Sequence, residues 1–354
     1  MKKHLILSLL LTGALVGSLF SQDNKQEYLV TGIGFYNLEN LFDTLIDPDP
    51  NKILQEDFTP KGQKKWTAEH YQEKLVNMAK VISELGTEVT PDGLAVLGVC
   101  EVENKSVLED LIKVKSIKER RYKVVHYDSQ DKRGIDVGLL YNPKYFKVIS
   151  SKNFSLRSVD TTFYSRDQLL VTGLLNGEKV HLIVAHWPSR RGGEKRSKPR
   201  RASAAKLGRM IVDSLQANDP NAKVFYMGDL NDDPTDESVK KHLRGQGKKE
   251  NMKKGDLFNP WGSYYKKGIG TLAYRDTWNL FDQIMVSKSL LGKNYASLKL
   301  YKSKIFSKPY LKNTEGRYKG YPFRTYSFGS YIGGYSDHFP VYMFLIKEQN
   351  KVQK

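Results

Sequence analysis

Lys223-Val224-Phe225-Tyr226-Met227-Gly228-Asp229-Leu230-Asn231 is the stretch that decides the fold of this 354-residue chain. Its apolar run shows no polar alternation, so a strand over Lys223–Gly228 must be covered on both faces. Asp229 and Asn231 follow it, spaced i, i+2 across Leu230. In extended backbone that spacing turns both polar side chains to one face and Leu230 to the core. A buried strand ending in a carboxylate and an amide delivers both groups to the rim of a sheet.

Other segments end the same way. Tyr28–Tyr36 runs into Asn37-Leu38-Glu39, again a polar pair across a leucine; Leu94–Cys100 runs into Glu101; Val180–His186 ends in its histidine; Asp337-His338 stands just before Pro340–Ile346. Tyr122–Tyr127, Ile135–Tyr141, Phe146–Ser150, Leu169–Leu174 and Phe281–Val286 complete the expected strands. Helices are expected at Thr67–Leu85, with Thr67 as N-cap and Tyr71, Leu75, Met78, Ile82 and Leu85 on one stripe, and at Val107–Ile117 and Ala202–Leu215. Strands apolar on both faces imply an α/β architecture of two packed sheets flanked by helices, in one domain. Ser189–Arg201 and Arg244–Tyr274 read as loops.

The polar strand ends define a chemistry. Carboxylate, amide and imidazole groups from five segments can meet at one rim. An Mg²⁺-like ion prefers oxygen ligands and keeps waters, so one or two carboxylates plus an Asn suffice. Such an ion neutralises phosphoryl charge. An Asp–Asn pair suits a positioned water, and a His can donate protons or hydrogen bonds to phosphate. Each residue also has a plainer reading. Asp229 and Asn37 could be turn formers, Glu101 could flank a solvated helix start, His186 could be a core histidine, and Ser336-Asp337-His338 an ordinary turn. Five such coincidences in one chain favour the site.

Composition sets the outer limits. An apolar share of 39% allows a large core. Lys2 and Lys3 precede an apolar run from Leu5 to Phe20, followed by Ser21 and Gln22. This reads as a signal peptide over residues 1–21, leaving 22–354 as the domain, with an uncleaved anchor as the alternative. Periplasmic or secreted location follows, with no stable membrane span after cleavage. Cys100 is the only cysteine, which excludes an intrachain disulfide and a cysteine metal cluster; beside Leu97, Gly98 and Val99 it reads as core. Net charge is +18, or 18 − 2 = +16 without Lys2 and Lys3, enough to concentrate polyanions or anionic lipid head groups. Solubility alone is the plainer account of that charge. The sequence names no protein partner.

Taken in order, Asn37-Leu38-Glu39-Asn40, Glu101, His186, Gly228-Asp229-Leu230-Asn231, Asp282 and Ser336-Asp337-His338 resemble the endonuclease/exonuclease/phosphatase superfamily, in its deoxyribonuclease I-like form, from about Tyr28 to Ile346. The resemblance implies a four-layer α/β sandwich and Mg²⁺-dependent phosphoester hydrolysis, with Mn²⁺ or Ca²⁺ as alternative ions. It implies Glu101 as principal metal ligand, with Asn37 nearby and Asp337 assisting. Asp229 would orient or deprotonate the attacking water, and Asn231 would hold it and the phosphate. His338 would contact the scissile phosphate, oriented by Asp282, and His186 would donate toward the phosphate or the leaving group. Glu39 stands where several relatives have Asp, which leaves a ligand role for it open. Asp136 is a candidate acidic partner of His186, with a role in the fold as its alternative. Arg166 resembles an arginine that supports the phosphate, with a surface salt bridge as its alternative.

Such a resemblance does not select a substrate. Nucleic acid is expected, because Ser189–Arg201 starts directly after His186 and carries seven basic residues, beginning with Arg190 and Arg191. A phosphate backbone needs several charges neutralised at once. Trp187, Trp261, Tyr264 and Tyr265 are the residues expected to stack on bases. The alternative is a sphingomyelinase-like lipid or inositol phosphodiesterase, which would want an apolar hairpin to enter a bilayer; no clear one is present, and Phe328–Tyr335, with Tyr331 and Ile332 exposed between glycines, is only a weak candidate.

Overall fold

A computed structural model describes residues 26–349; the signal-peptide reading of residues 1–21 lies outside them. No helix among the described residues is long and apolar enough to cross a membrane. In chain order the elements are β1 (Tyr28–Leu41), α1 (Ala68–Glu84), β2 (Leu94–Val102), α2 (Lys105–Lys113), β3 (Lys123–His126), β4 (Asp136–Tyr141), β5 (Phe146–Phe154), β6 (Gln168–Leu175), β7 (Glu178–His186), α3 (Glu194–Asn218) and β8 (Val224–Asp229). There follow β9 (Gly245–Gln246), β10 (Leu257–Phe258), β11 (Leu272–Tyr274), β12 (Thr277–Asn279), β13 (Asp282–Ser287), β14 (Lys299–Ile305), β15 (Tyr326–Ser327), β16 (Ser330–Tyr331) and β17 (Val341–Glu348).

One sheet has six strands in the order β14-β17-β1-β2-β4-β3 and the other seven, β5-β6-β7-β8-β13-β10-β9. Both are mixed: β1–β2, β7–β8 and β9–β10 are parallel pairs among antiparallel ones. The strand period of two sorts each side chain into a layer. Ile33 and Phe35 of β1 meet Leu182 and Val184 of β7 and Phe225 and Met227 of β8 between the sheets. On the outer face of the first sheet, Tyr36, Leu97 and Val99 pack on Leu75, Met78 and Ile82 of α1 and Leu108 of α2. On the outer face of the second, Ile183, Ala185 and Tyr226 pack on Ala204, Leu207 and Ile211 of α3. Helix, sheet, sheet, helix: this is the four-layer α/β sandwich, and it explains strands apolar on both faces.

Thr67 caps α1, its side chain accepting from the His70 N–H. Two expectations fail. The first is the loop at Ser189–Arg201, because α3 begins at Glu194, not Ala202. Pro199 and the charge run hide this start. Arg201 ties this first part of the helix down: fully buried, it donates from Nε to Asp232 Oδ1 at 2.6 Å and from Nη1 to Ser197 Oγ at 2.7 Å. The second is the set of strands: it lacks β14, because an edge strand reading Lys-Leu-Tyr-Lys-Ser-Lys-Ile carries charge to blunt its open side, and it lacks β9, β10 and β11, short pairings that fall inside Arg244–Tyr274, a stretch read as a loop.

Candidate active site

Register assembles the site. His186 pairs with Asp229 across β7–β8, and Asp229 with Asp282 across β8–β13. Gly228 permits this close approach, since a Cβ there would lie 2.1 Å from the Ala185 carbonyl oxygen. In the other sheet Asn37 pairs with Cys100, and both strands then bulge. Glu101, at φ 58°, is the extra residue between the Cys100–Val137 and Val102–Asp136 pairs, and Glu39 and Asn40, at φ 49° and 52°, lie in the β1 irregularity. A bulge re-aims its side chain, and non-glycine residues in this left-handed region cost energy that the surrounding structure must offset. The Asn40 N–H donates to Glu101 Oε2 at 3.0 Å, which ties the two bulges together.

The convergence is tight. Asp229 Oδ2 accepts from Asn37 Nδ2 at 3.1 Å, and its Oδ1 from the Asn231 N–H at 3.0 Å. Nε2 of His186 lies 3.6 Å and Nε2 of His338 3.9 Å from Asp229 Oδ2, and His186 Nε2 is 3.9 Å from Glu101 Oε1. Asp282 Oδ2 and His338 Nδ1 are 2.7 Å apart. Asn231, at φ 50°, donates from Nδ2 to the Trp187 carbonyl at 3.1 Å. Ser336 Oγ donates to the Asn37 carbonyl at 2.8 Å and accepts the His338 N–H at 3.1 Å, so the last polar turn is pinned to β1.

The two histidines are driven in opposite directions. Burial, then the charges of Arg166 and Arg133, push His186 well below its ordinary pKa, so it is neutral. Burial also opposes charge on His338, but Asp282 and Asp229 outweigh it and raise this pKa well above the usual value. Burial lifts Asp229 to about 7, helped by Asp282 and Glu101 and opposed by His338. The Cys100 thiol, in contact range of His186 and Asp229, is held protonated by burial and the neighbouring carboxylates, which makes it core and a poor ligand.

A second network, which the sequence did not announce, stands behind Asp337. Glu39 accepts from Thr325 N–H at 2.7 Å and from Arg324 Nε at 3.1 Å, and Arg324 Nη2 reaches Asp337 Oδ2 at 3.0 Å. Lys74 of α1, fully buried, donates to Thr325 Oγ1 and the Tyr335 carbonyl, each at 2.6 Å, with Glu39 Oε2 at 3.9 Å. Glu39 is thus engaged by protein donors on both oxygens. Lys74 had a legible signal: it lies at i+3 from Tyr71 and i−4 from Met78, a lysine on the apolar stripe. Arg324 had none.

Other residues take places that the sequence did not foretell. Asp136 accepts from Ser129 N–H at 2.9 Å and faces His126 Nε2 at 3.5 Å, so it serves the β3–β4 connection and not His186. The Nδ1 of His186 has no partner among the described residues. Arg166 is buried, donating to Asp131 Oδ2 at 3.0 Å and to the Trp187 carbonyl. Arg190 donates to the Asn231 carbonyl at 3.0 Å and to Asp236 Oδ2 at 2.8 Å, holding the Asn231 turn from behind. Arg191 is exposed. Trp187 and Trp261 are 1% and 0% exposed, so neither stacks on a base; their indole N–H groups donate inward to Tyr226 Oη and the Ile284 carbonyl. Tyr264 and Tyr265 are half-buried beside the core. The Phe328–Tyr335 hairpin exists, but Tyr331 stacks on His70, with ring centroids 3.8 Å apart, and Ile332 is half-buried. Of its apolar side chains, Phe328 alone is fully presented to solvent.

The donor set fits a hard divalent cation. Glu101 and Asp229 bring two carboxylates within 3.9 Å and 3.6 Å of His186 Nε2, Asp337 is half-buried and paired with Arg324, and Glu101 accepts only the Asn40 N–H among the described residues. Burial first, and then the charges of Asp282 and Glu101, oppose ionisation of Asp229, and a bound cation would offset that cost. Glu101, Asn37 and Asp337 are the residues that would hold it.

A family model described as the Endonuclease/Exonuclease/phosphatase family matches residues 32–347. No curated protein matches the sequence. Among solved structures, an endonuclease/exonuclease/phosphatase family protein from Bacteroides thetaiotaomicron aligns over 92% of this chain and 100% of its own, at 16% identity and TM-score 0.54. A mannosyl-6-phosphatase from the same organism aligns over 89% and 99%, at 17% identity and TM-score 0.52. D. rerio TDP2 complexed with single-strand DNA product aligns over 89% and 98%, at 15% identity and TM-score 0.52. At these identities the three likenesses speak for the fold.

Proposed function

The chain belongs to the endonuclease/exonuclease/phosphatase family, a family of divalent-metal-dependent phosphoesterases, and on that premise we propose that it is an exported, Mg²⁺-dependent phosphodiesterase that cuts nucleic acid. The carrying observation is the arrangement around Asp229 Oδ2: a cationic imidazole at 3.9 Å, a neutral one at 3.6 Å and an amide at 3.1 Å.

Asp229, basic enough to titrate near neutrality, takes the proton of an attacking water that Asn231 helps to place. His338, kept cationic by Asp282, donates to a phosphate oxygen as negative charge develops on it. His186, neutral, donates a hydrogen bond from Nε2 to the leaving oxygen, which takes its proton from solvent as the P–O bond breaks. A divalent ion held by Glu101, Asn37 and Asp337 would neutralise phosphoryl charge.

Nucleic acid is favoured by the strongly positive chain and by Arg191, Lys195 and Arg196, exposed just after His186 and without carboxylate partners among the described residues. The DNA product bound to D. rerio TDP2 supports the reading, since a strand of that kind can be seated on this fold. Export follows the apolar leader at Leu5–Phe20.

The test is plasmid nicking by the mature protein. Cleavage is expected with Mg²⁺, and none with EDTA or with His338→Ala. Intact DNA in every lane, alongside phosphate released from a hexose 6-phosphate or phosphocholine from a lipid, would overturn the nuclease assignment.

A further inference from the structure

Beside the reaction centre lies a cavity of about 450 Å³, within the size range of ligand pockets. Arg324 and Asp337 form its inner wall. Two hairpins and a loop form the rest. The β11–β12 hairpin turns at Arg275 and Asp276, with φ 48° and 61°, and Tyr321 clamps it: its hydroxyl donates to Asp276 Oδ1 at 2.6 Å and accepts the Asp276 N–H at 2.7 Å. The β15–β16 hairpin turns at Phe328 and Gly329, with φ 48° and 85°.

Phe328 is the anomaly. Glycine adopts that backbone freely, whereas a bulky aromatic does so at a cost. Phe328 is also 88% exposed, so packing in the free protein does not offset this. A strained, solvent-facing ring at the mouth of a cavity points to something that covers it. Its ring centroid lies 5.8 Å from that of Tyr318, which lies 5.4 Å from that of Tyr321. Guanidinium groups flank this aromatic surface: Arg317 lies 5.9 Å from the Tyr318 ring and Arg275 5.3 Å from the Tyr274 ring, neither paired with a carboxylate among the described residues.

Ring faces plus unpaired guanidinium groups suit a planar base attached to a phosphate. They suit a sugar less well, because the side chains best able to grip hydroxyl groups are engaged. Asp276 is tied to Tyr321, and Asn313 donates to the Tyr321 and Pro322 carbonyls.

We propose, resting on the nuclease reading above, that this cavity is the nucleotide subsite next to the scissile phosphate: the flanking base stacks against Phe328 and Tyr318, and Arg275 and Arg317 take the adjoining phosphate. Contacts to ring faces and phosphates carry little base preference, so cleavage tolerates sequence.

The experiment compares KM and kcat of the mature protein on a single-stranded oligonucleotide and on methyl p-nitrophenyl phosphate, a diester without a base. Phe328→Ala and Arg317→Ala should raise the oligonucleotide KM about tenfold or more, and at least about fivefold beyond any change on the small diester. Tyr301→Ala, on the edge strand β14 and 65% exposed, should change neither. Equal losses on both substrates, or none on the oligonucleotide, would overturn the subsite while leaving the nuclease standing. A wild-type protein that cuts the small diester but no oligonucleotide sinks both.

Discussion

Asp282 Oδ2 lies 2.7 Å from Nδ1 of His338, joining the first residue of β13 to the turn before β17. Asp282 is fully buried, and its second oxygen has no partner among the described residues. The carboxylate therefore directs its charge at the imidazole and leaves Nε2 facing Asp229.

Removing that charge should move a pH limb. The His338 pKa is raised because Asp282 and Asp229 outweigh burial, and activity that needs the cation disappears as pH rises through it. In Asp282→Asn the amide no longer favours the cation, so the alkaline limb of kcat/KM should shift to lower pH. Activity at pH 8 should fall by about a hundredfold or more. A pH–rate profile with its alkaline limb unmoved would show that the pair does not set the imidazole's charge.

Glu101→Gln should raise the Mg²⁺ concentration needed for half-maximal activity. Outer contacts of a metal site are each worth about 10–100-fold in affinity, and a direct ligand should exceed the lower figure. Metal titrations of activity, with isothermal calorimetry as a second readout, test this; equal midpoints for the two proteins would move the ion elsewhere.

Lys74→Met should destabilise the fold by about 3–5 kcal/mol, because it strips the buried Glu39 of a cation and leaves Thr325 Oγ1 and the Tyr335 carbonyl without their donor. Urea unfolding measures it. A loss below about 1 kcal/mol would mean that Arg324 alone sustains the network.

The triple variant Arg191→Ala, Lys195→Ala, Arg196→Ala should bind DNA more weakly and with a flatter salt dependence, by about one unit of slope for each phosphate that the variant no longer neutralises. All three side chains are exposed, so the melting temperature should barely change. An unaltered slope would place the strand's path elsewhere.

Glu178 should matter for acid stability. Burial opposes its charge, but Lys347, Ser297, Lys223 and the Leu298 N–H together lower its pKa to about 2. A carboxylate depressed in the folded state stabilises above its unfolded pKa, and that contribution is lost as pH falls from about 4.5 toward 2. Glu178→Gln should therefore narrow the stability gap to wild type as pH drops through this window. A gap constant from pH 7 to pH 2 would refute the assignment.

The strand ends were the most legible part of the chain. A carboxylate or imidazole bordering a run of buried residues is locally unfavourable, so Asp229, Glu101, His186 and His338 stand out against the unbroken apolar runs beside them. Lys74 was legible by the same logic, as a charge on the apolar face of α1, but only if that stripe is read for its exceptions. Arg190 and Arg201 misled, since a run of basic residues looks the same whether it faces solvent or, as with Arg201 against Asp232, is folded inward onto carboxylates. Trp187 and Trp261 misled for the converse reason: indole rings serve cores as readily as surfaces.

Residue order alone determined the layers, because hydrophobic periodicity is a local property and burial follows it. It also determined which polar groups would stand at the sheet rim. Tertiary structure alone decided how they face one another. The bulges at Glu39–Asn40 and Glu101, the register that sets Asp229 between His186 and Asp282, and the clamp of Tyr321 on Asp276 all depend on contacts between distant segments. Those contacts select among backbone conformations that differ little in local energy, which is why no short stretch of sequence announces them.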